Sequence, residues 1–271
     1  MKMNVTLGQY YPSDSIIHKL DPRTKIIGTM LYIAMVFLSN NIISYGICTL
    51  LFVYLAKVSH VPVLMAIRGL KGMVFIIIIT ALFNIFFIKT GNTIIKTPLI
   101  NITDDGLFTT ISLCLRLVLI VCTSSFLTFT TTPISLADGV ERLLRKPCSL
   151  TKISSSEIGM IMSIALRFIP TLIEELDKIK KAQQARGADF ENGGLIKRAK
   201  NMIPLLVPLF LSSFRRADEL AMAMESRCYR PDMKRTKLRE LKYTKNDYYA
   251  YGVILFLLAV VVVVSLVWSM K

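Results

Sequence analysis

Two arginines 41 positions apart carry the chemistry this chain offers most plainly: Arg186 in Ala185-Arg186-Gly187 and Arg227 in Ser226-Arg227-Cys228. A guanidinium is a rigid, permanently charged fork that binds carboxylates bidentately, which an ammonium cannot do. The flanking residues are small, so another surface could approach each fork closely. At the tip of a stiff helix, such an arginine is placed to enter an acidic groove on a partner. The same placement also suits a plainer role, in which a cation near a helix C-terminus interacts with the macrodipole and with lipid phosphates. Residue chemistry alone leaves both open.

The elements that position these arginines are two helices of similar plan, each apolar at its start and charged at its end. The first is expected over about 156–186. Ile161, Ala165, Phe168, Ile169, Leu172, Leu176 and Ile179 recur at 3–4 spacing along it. Glu174 with Lys178 and Asp177 with Lys181 are i,i+4 pairs in the favourable order, and Gly187 stands where a left-handed stop is needed. The second begins with Lys197, Arg198 and Lys200 and enters an apolar run over 202–211, with Pro204 and Pro208 expected to bend it. Phe210, Phe214, Ala217, Ala221 and Met224 continue one face to Arg227, and Pro231 is the expected stop. A shorter amphipathic helix should start near Thr132-Pro133 and turn Arg142 and Arg145 toward lipid headgroups.

Composition sets the environment. The chain has 271 residues, 53% of them hydrophobic, and a formal charge of +15. Apolar runs lie at about 26–38, 42–56, 73–88, 107–129 and 248–268. A helix needs about 20 apolar residues to cross roughly 30 Å of hydrocarbon. The fourth and fifth runs meet this. The first two are short, joined by Ser39-Asn40-Asn41 as a tight hairpin, and need flanking residues or a thinned bilayer. The expected fold class is therefore an all-α polytopic membrane protein: five transmembrane helices plus a cytosolic module of three coupling helices. Its expected divisions are an N-terminal membrane domain over 1–130, the coupling-helix segment over 131–247, and a last span over 248–271.

Basic residues orient it. Lys19, Arg23 and Lys25 precede the first run, and Lys57, Arg68 and Lys71 follow the second, whereas the first connection has no Lys or Arg. The N-terminus is expected inside and Lys271 outside. The segment 131–247 holds 22 of the 33 basic residues against 14 acids, a net of +8, and is expected in the cytosol. Charge of this kind on a membrane chain points to inner loops and anionic lipid rather than nucleic acid.

The stretch His18-Lys19-Leu20-Asp21-Pro22-Arg23-Thr24-Lys25, the run Ala165-Leu166-Arg167-Phe168-Ile169-Pro170 and the two Arg triplets together resemble the transmembrane subunit of energy-coupling factor transporters over essentially the whole chain. The resemblance implies that the triplets end two long coupling helices whose arginines dock into grooves on two ABC ATPase subunits, Arg186 on one and Arg227 on the other. It implies interchangeable substrate-binding membrane subunits for vitamins or similar micronutrients, seated on the apolar faces of the helices. Phe168, Ile169, Pro170, Leu172, Leu206 and Phe210 are the candidates for that contact. It also implies a bacterial cell membrane location. ATP-driven closure of the ATPases would move the helix tips together, reshape the surface under the substrate subunit and topple it. The family pattern is Ala-Arg-Gly, so Ser226-Arg227-Cys228 departs from it and puts the geometry of that helix stop in question. Methionines such as Met160, Met162, Met202, Met222 and Met224 suit an adaptable surface, and suit ordinary packing equally.

No residues are expected to be catalytic or to bind metal. The 13 glycines contain no G-x-x-x-x-G-K-[ST], so ATP and Mg belong on partner ATPases and no cofactor is expected on this chain. His18 and His60 lack ligand spacing and are expected to be structural. Asp21-Pro22 should cap the first helix, with Arg23 and Lys25 anchoring headgroups. Arg116, about ten residues into the fourth run, is expected to bond helix carbonyls or a polar residue such as Asn84. Three of the five cysteines, Cys48, Cys114 and Cys122, should be apolar filler in spans. The alternative reading is a self-contained secondary transporter, disfavoured by the absence of acids in any span and of a recognisable span repeat.

Overall fold

The computed structural model describes residues 10–62, 64–65, 69–87, 93–96, 101–148, 155–190, 194–230 and 241–269. The described chain is helical except for one short ribbon: α1 (Pro22–Leu38), α2 (Ile42–Val58), a 3-10 turn (Leu70–Gly72), α3 (Val74–Phe87), β1 (Thr93–Lys96), β2 (Asn101–Thr103), α4 (Asp104–Thr130), α5 (Pro133–Cys148), α6 (Ser155–Ala185), α7 (Leu195–Ser226) and α8 (Lys245–Ser269). β1 and β2 pair antiparallel. They occupy the connection between the third and fourth apolar runs, where a seven-residue strand pair carries too weak a pattern to stand out from its turn residues.

Among the described residues, α4 and α8 are long and apolar enough to cross a membrane, and Ile42–Val58 and Val74–Phe87 are shorter apolar helices. Residues Arg68, Pro231 and Lys271, which entered the orientation and helix-stop expectations, lie outside the described residues.

The chain divides into two compact units, one of 1–143 with 241–271 and one of 144–240. In the first, α1 lies against α8, α4 and α2, and α3 lies along α4. Its core is built from Tyr32, Met35 and Val36 of α1, Tyr45, Cys48 and Phe52 of α2, Cys122 and Phe126 of α4, and Val261 of α8. Helices inside an apolar layer gain from close backbone approach, which small residues allow. Gly28 shows this: a Cβ there would stand 3.0 Å from Ile254 Cδ1. Gly139 of α5 does the same, since a Cβ there would stand 3.1 Å from both Ile26 Cδ1 and Pro22 Cβ. That contact explains why α5 up to Leu143 belongs with the first unit although it precedes the two long helices directly.

Several hydroxyls of α4 are satisfied locally. On α4 the hydroxyls of Thr110, Thr123 and Thr130 donate to the carbonyls of Gly106, Leu119 and Phe126 at 2.7, 2.8 and 2.9 Å. Each closes back onto its own helix four residues earlier, which removes an unpaired donor from the interior. Thr103 caps α4 by accepting from the Gly106 N–H, and Asp104 and Asp105 sit in the first turn, where the helix dipole favours negative charge.

Arg116 lies further along α4. Its Nη2 donates to Tyr45 Oη at 2.8 Å and to the Ser39 carbonyl at 3.2 Å. The charge therefore ties the end of α1 to α2. Both kinds of partner expected from the sequence, a carbonyl and a polar side chain, are thus present, with Tyr45 as the polar residue, while Asn84 donates to the Thr80 carbonyl of its own helix.

The stretch His18–Lys25 is likewise turned inward. Asp21 caps α1, accepting from the Arg23 N–H at 2.9 Å, with Pro22 in the first turn as expected. Arg23 and Lys25 do not reach outward toward headgroups, which corrects that expectation. Arg23 Nη2 donates to Asp21 Oδ2 at 2.8 Å and to the Leu241 carbonyl at 3.1 Å, and its guanidinium lies 4.1 Å over the Tyr243 ring. Lys25 Nζ donates to the carbonyls of His18 and Thr130 at 3.0 and 2.8 Å. The Asp21 N–H in turn donates to Asp247 Oδ1 at 2.9 Å. This motif joins the start of α1 to the start of α8 and the end of α4.

Asp247 is 0% exposed, and its other oxygen accepts from the Thr244 N–H and hydroxyl, both at 2.7 Å. Burial pushes its carboxyl up, but the hydrogen bonds from Thr244 and Asp21 outweigh that and hold it below its ordinary value. His18 is held below its own ordinary value by burial and by the Lys25 charge, in keeping with its inward contacts to Ser15 and to the Tyr11 carbonyl.

Candidate functional site

The second unit consists of α6 and α7, which pack on each other. Both run through prolines, Pro170 in α6 and Pro204 and Pro208 in α7, and both remain single helices of 31 and 32 residues. The i,i+4 pairs expected on α6 are absent from the ion pairs of the described residues. Flexible exposed pairs gain little over water, and a pair across the two helices takes the place they were assigned. Arg216 Nη2 meets Glu175 Oε2 at 3.0 Å, and its guanidinium stands 5.8 Å over the Phe168 ring.

That brace sits eleven residues before each arginine, since 186 − 175 and 227 − 216 are both 11. Each tip therefore extends about 16 Å beyond a shared contact, at 1.5 Å per residue. Both helices then end with the same set of backbone bonds. After α6, Gly187 has φ +89°; its N–H donates to the Gln184 carbonyl at 2.9 Å, and the Ala188 N–H reaches the Gln183 carbonyl at 3.0 Å. After α7, Cys228 has φ +57°; its N–H donates to the Glu225 carbonyl at 2.8 Å, and the Tyr229 N–H reaches the Met224 carbonyl at 3.0 Å. This is the Schellman arrangement twice over, with the left-handed residue one place after each arginine. The geometry of the second stop, left in question by Ser226-Arg227-Cys228, matches the first despite the missing glycine. A non-glycine in that conformation costs about 1–2 kcal/mol.

Ala185, Arg186 and Gly187 are exposed, as are Ser226, Arg227 and Cys228. Among the described residues neither Arg186 nor Arg227 enters an ion pair. Two guanidiniums are thus presented to solvent, each one residue before a left-handed helix stop.

The apolar candidates divide. On α7, Leu206 and Phe210 are 46% and 61% exposed. They belong to a wider stripe that the sequence reading named only in part: Met202, Ile203, Val207, Leu211 and Phe214 are also exposed. Their 3–4 spacing was visible, but not which side α6 would cover. Leu205, one step round the helix, is 4% exposed. On α6, Pro170 is exposed, whereas Ile169 and Leu172 are half-buried. Phe168 is half-buried too and is engaged by Arg216, so of the six it is the least free for a partner.

The cobalt transport protein family (CbiQ) matches residues 13–238, a span that includes the His18–Lys25 stretch and both Arg triplets. The energy-coupling factor transporter transmembrane protein EcfT of Acidaminococcus fermentans is 49% identical over 247 residues, 91% of this chain and 91% of that protein. The proteins of that name from Ruminiclostridium cellulolyticum and Bacillus subtilis are 45% and 42% identical, covering 99% and 91% of this chain and 100% and 93% of their own lengths.

Proposed function

The chain belongs to the cobalt transport protein (CbiQ) family and is the transmembrane coupling subunit of an energy-coupling factor transporter; from that premise we propose that Arg186 and Arg227 each dock one of two ABC ATPase subunits. ATP and Mg are bound and used on those ATPases, and this chain is a non-catalytic scaffold. The exposed stripe of α7, with Leu206 and Phe210 at its centre, and the exposed Pro170 of α6 carry the substrate-binding membrane subunit.

Five helices cross the bacterial cell membrane, with the N-terminus inside and the C-terminus outside. α1, α2 and α3 are shorter than the roughly 20 residues an unaided span needs, and they cross with the help of flanking residues or a thinned bilayer. When the ATPases close, the tips move about the Glu175–Arg216 brace and the apolar stripe shifts under the substrate subunit, which topples and releases a vitamin or similar micronutrient inside.

The observation that carries this reading is the pair of matching helix ends, each presenting one guanidinium without an ion pair among the described residues, about 16 Å beyond a shared brace. Two like tips suit two like partners. Arginine rather than lysine fits because a bidentate grip transmits sideways force as well as charge.

The test is purification of a tagged full-length chain from its native membrane, with its partners identified by mass spectrometry. Two ATPases are expected with the parent chain, and neither with Arg186→Glu combined with Arg227→Glu, while membrane insertion is unchanged. Retention of both ATPases by the double variant overturns the docking assignment.

A further inference from the structure

The first unit holds an apolar groove, about 600 Å³ in volume, between α2 and α8, with Leu20 and Ile16 closing the end near the start of α1. It exists because α8 packs along α1 and meets α2 much less. Leu50 and Tyr54 form one wall and Tyr249 and Val253 the other, all four more than half exposed. From Asn246 to Leu257 the groove follows α8 for about 16 Å at 1.5 Å per residue. Half of a 30 Å hydrocarbon core is about 15 Å, so its depth matches one leaflet.

Its mouth is basic. Lys19, Lys57 and Lys245 are exposed, and each stands one residue from a lining residue, Leu20, Val58 and Asn246 respectively. Lys19 pairs with Asp14 at 3.7 Å, whereas Lys57 and Lys245 enter no ion pair among the described residues. Asp247, next to Asn246 in the chain, is buried and accepts three hydrogen bonds from Asp21 and Thr244 rather than forming an ion pair with these lysines. Tyr54 and Tyr249 add two amphipathic rings, residues that favour the headgroup level.

We propose that this groove holds one anionic phospholipid of the inner leaflet, its acyl chain between α2 and α8 and its phosphate against Lys57 and Lys245. A partner helix is a poorer occupant: a helix with side chains is 10–12 Å across, whereas about 600 Å³ lies within the range of small-ligand cavities, roughly 300–1,000 Å³. The bound lipid would fill the gap between α2 and α8 and tie the end of α2 to the start of α8, beside the Asp21–Asp247 contact. The proposal rests on the membrane orientation given above.

The experiment places a single tryptophan in the groove, Tyr54→Trp with Trp268→Phe, in the full chain reconstituted into phosphatidylcholine nanodiscs. Brominated phosphatidylglycerol or brominated phosphatidylcholine is titrated as quencher. The proposal expects half-quenching at an anionic-lipid fraction on the order of tenfold lower than for the zwitterionic lipid, the scale of two lysines acting near an anionic surface. Lys57→Gln with Lys245→Gln should bring the two curves together.

Equal quenching by both lipids in the lysine-bearing protein overturns the proposal, as does loss of quenching when the assembled transporter is used, which would make the groove a protein interface. A second reporter, Phe256→Trp on the exposed face of α8, should be quenched equally by both lipids. If it is not quenched at all, the membrane reading has failed, and the proposal with it.

Discussion

Arginines in the two units of this chain are used in opposite ways. Arg23 is folded inward, forked onto Asp21, bonded to the Leu241 carbonyl and laid over Tyr243. Arg186 and Arg227 stand exposed at helix ends, paired with nothing among the described residues. The side chain is the same, although Arg23 stands in the first turn of a helix and the other two at helix C-terminal ends. What differs is whether an acid and a carbonyl from a distant stretch of chain close over the guanidinium. A satisfied arginine holds a fold together, and an unsatisfied one, held on a stiff stop, is available to another molecule.

If the inward set is structural, breaking it should cost far more stability than any change at the tips. Asp247→Ala leaves the buried Asp21 N–H without an acceptor and removes the acceptor of the Thr244 N–H and hydroxyl. It should destabilise the chain by about 3 kcal/mol, read as a fall in thermal unfolding temperature in detergent. Arg186→Ala should leave that temperature nearly unchanged. Equal effects would erase the contrast.

Next in size is the close approach at Gly139. Gly139→Val places branched carbon against Pro22 and Ile26 and should cost about 1–3 kcal/mol. The expected sign is loosening of α5 from α1, measurable as faster hydrogen exchange in α5.

The stop after α7 gives a change in the favourable direction. Cys228→Gly removes the cost of a left-handed non-glycine, about 1–2 kcal/mol locally, and should slow exchange at the Cys228 and Tyr229 amides. Gly187→Ala should act in reverse after α6 by a similar amount. The brace gives the smallest effect: Glu175→Gln should cost about 0–1 kcal/mol, because both partners are partly solvated. Its consequence should be seen in transport coupling rather than in stability.

The contrast also has a pH signature. The folded Asp247 carboxyl lies below its ordinary value of 3.8, so its stabilisation is fully present above that value and is lost as pH falls through the folded value. Asp247→Asn should flatten the acid limb of the stability curve. Arg186→Ala and Arg227→Ala should not.

How much of this was legible beforehand follows sequence distance. Asp21 and Pro22 cap a helix that begins beside them, so local chemistry announced the cap. The two long helix ends were legible for the same reason: apolar spacing followed by a small residue just after the arginine. Arg23 and Lys25 were misplaced at the headgroups because their partners, Leu241 and Thr130, lie 218 and 105 positions away. Nothing beside a cation tells whether a distant carbonyl will reach it. For Arg116 the kind of partner, a carbonyl and a polar side chain, was legible, but not that Ser39 and Tyr45 would supply them. At Cys228 residue type misled and position did not, since the backbone bonds of the stop formed without glycine. The membership and coupling role came from the resemblance carried by whole motifs. The spacing of Arg186 and Arg227 alone did not single out docking over headgroup contact.

The central claim is that each exposed arginine holds one motor. The most direct measurement is the ATPase stoichiometry of complexes purified with Arg186→Glu alone and with Arg227→Glu alone, resolved by native mass spectrometry. The account predicts that each variant loses one ATPase and keeps the other, and that the two variants lose different ones. Complexes that keep both ATPases in either single variant would contradict it.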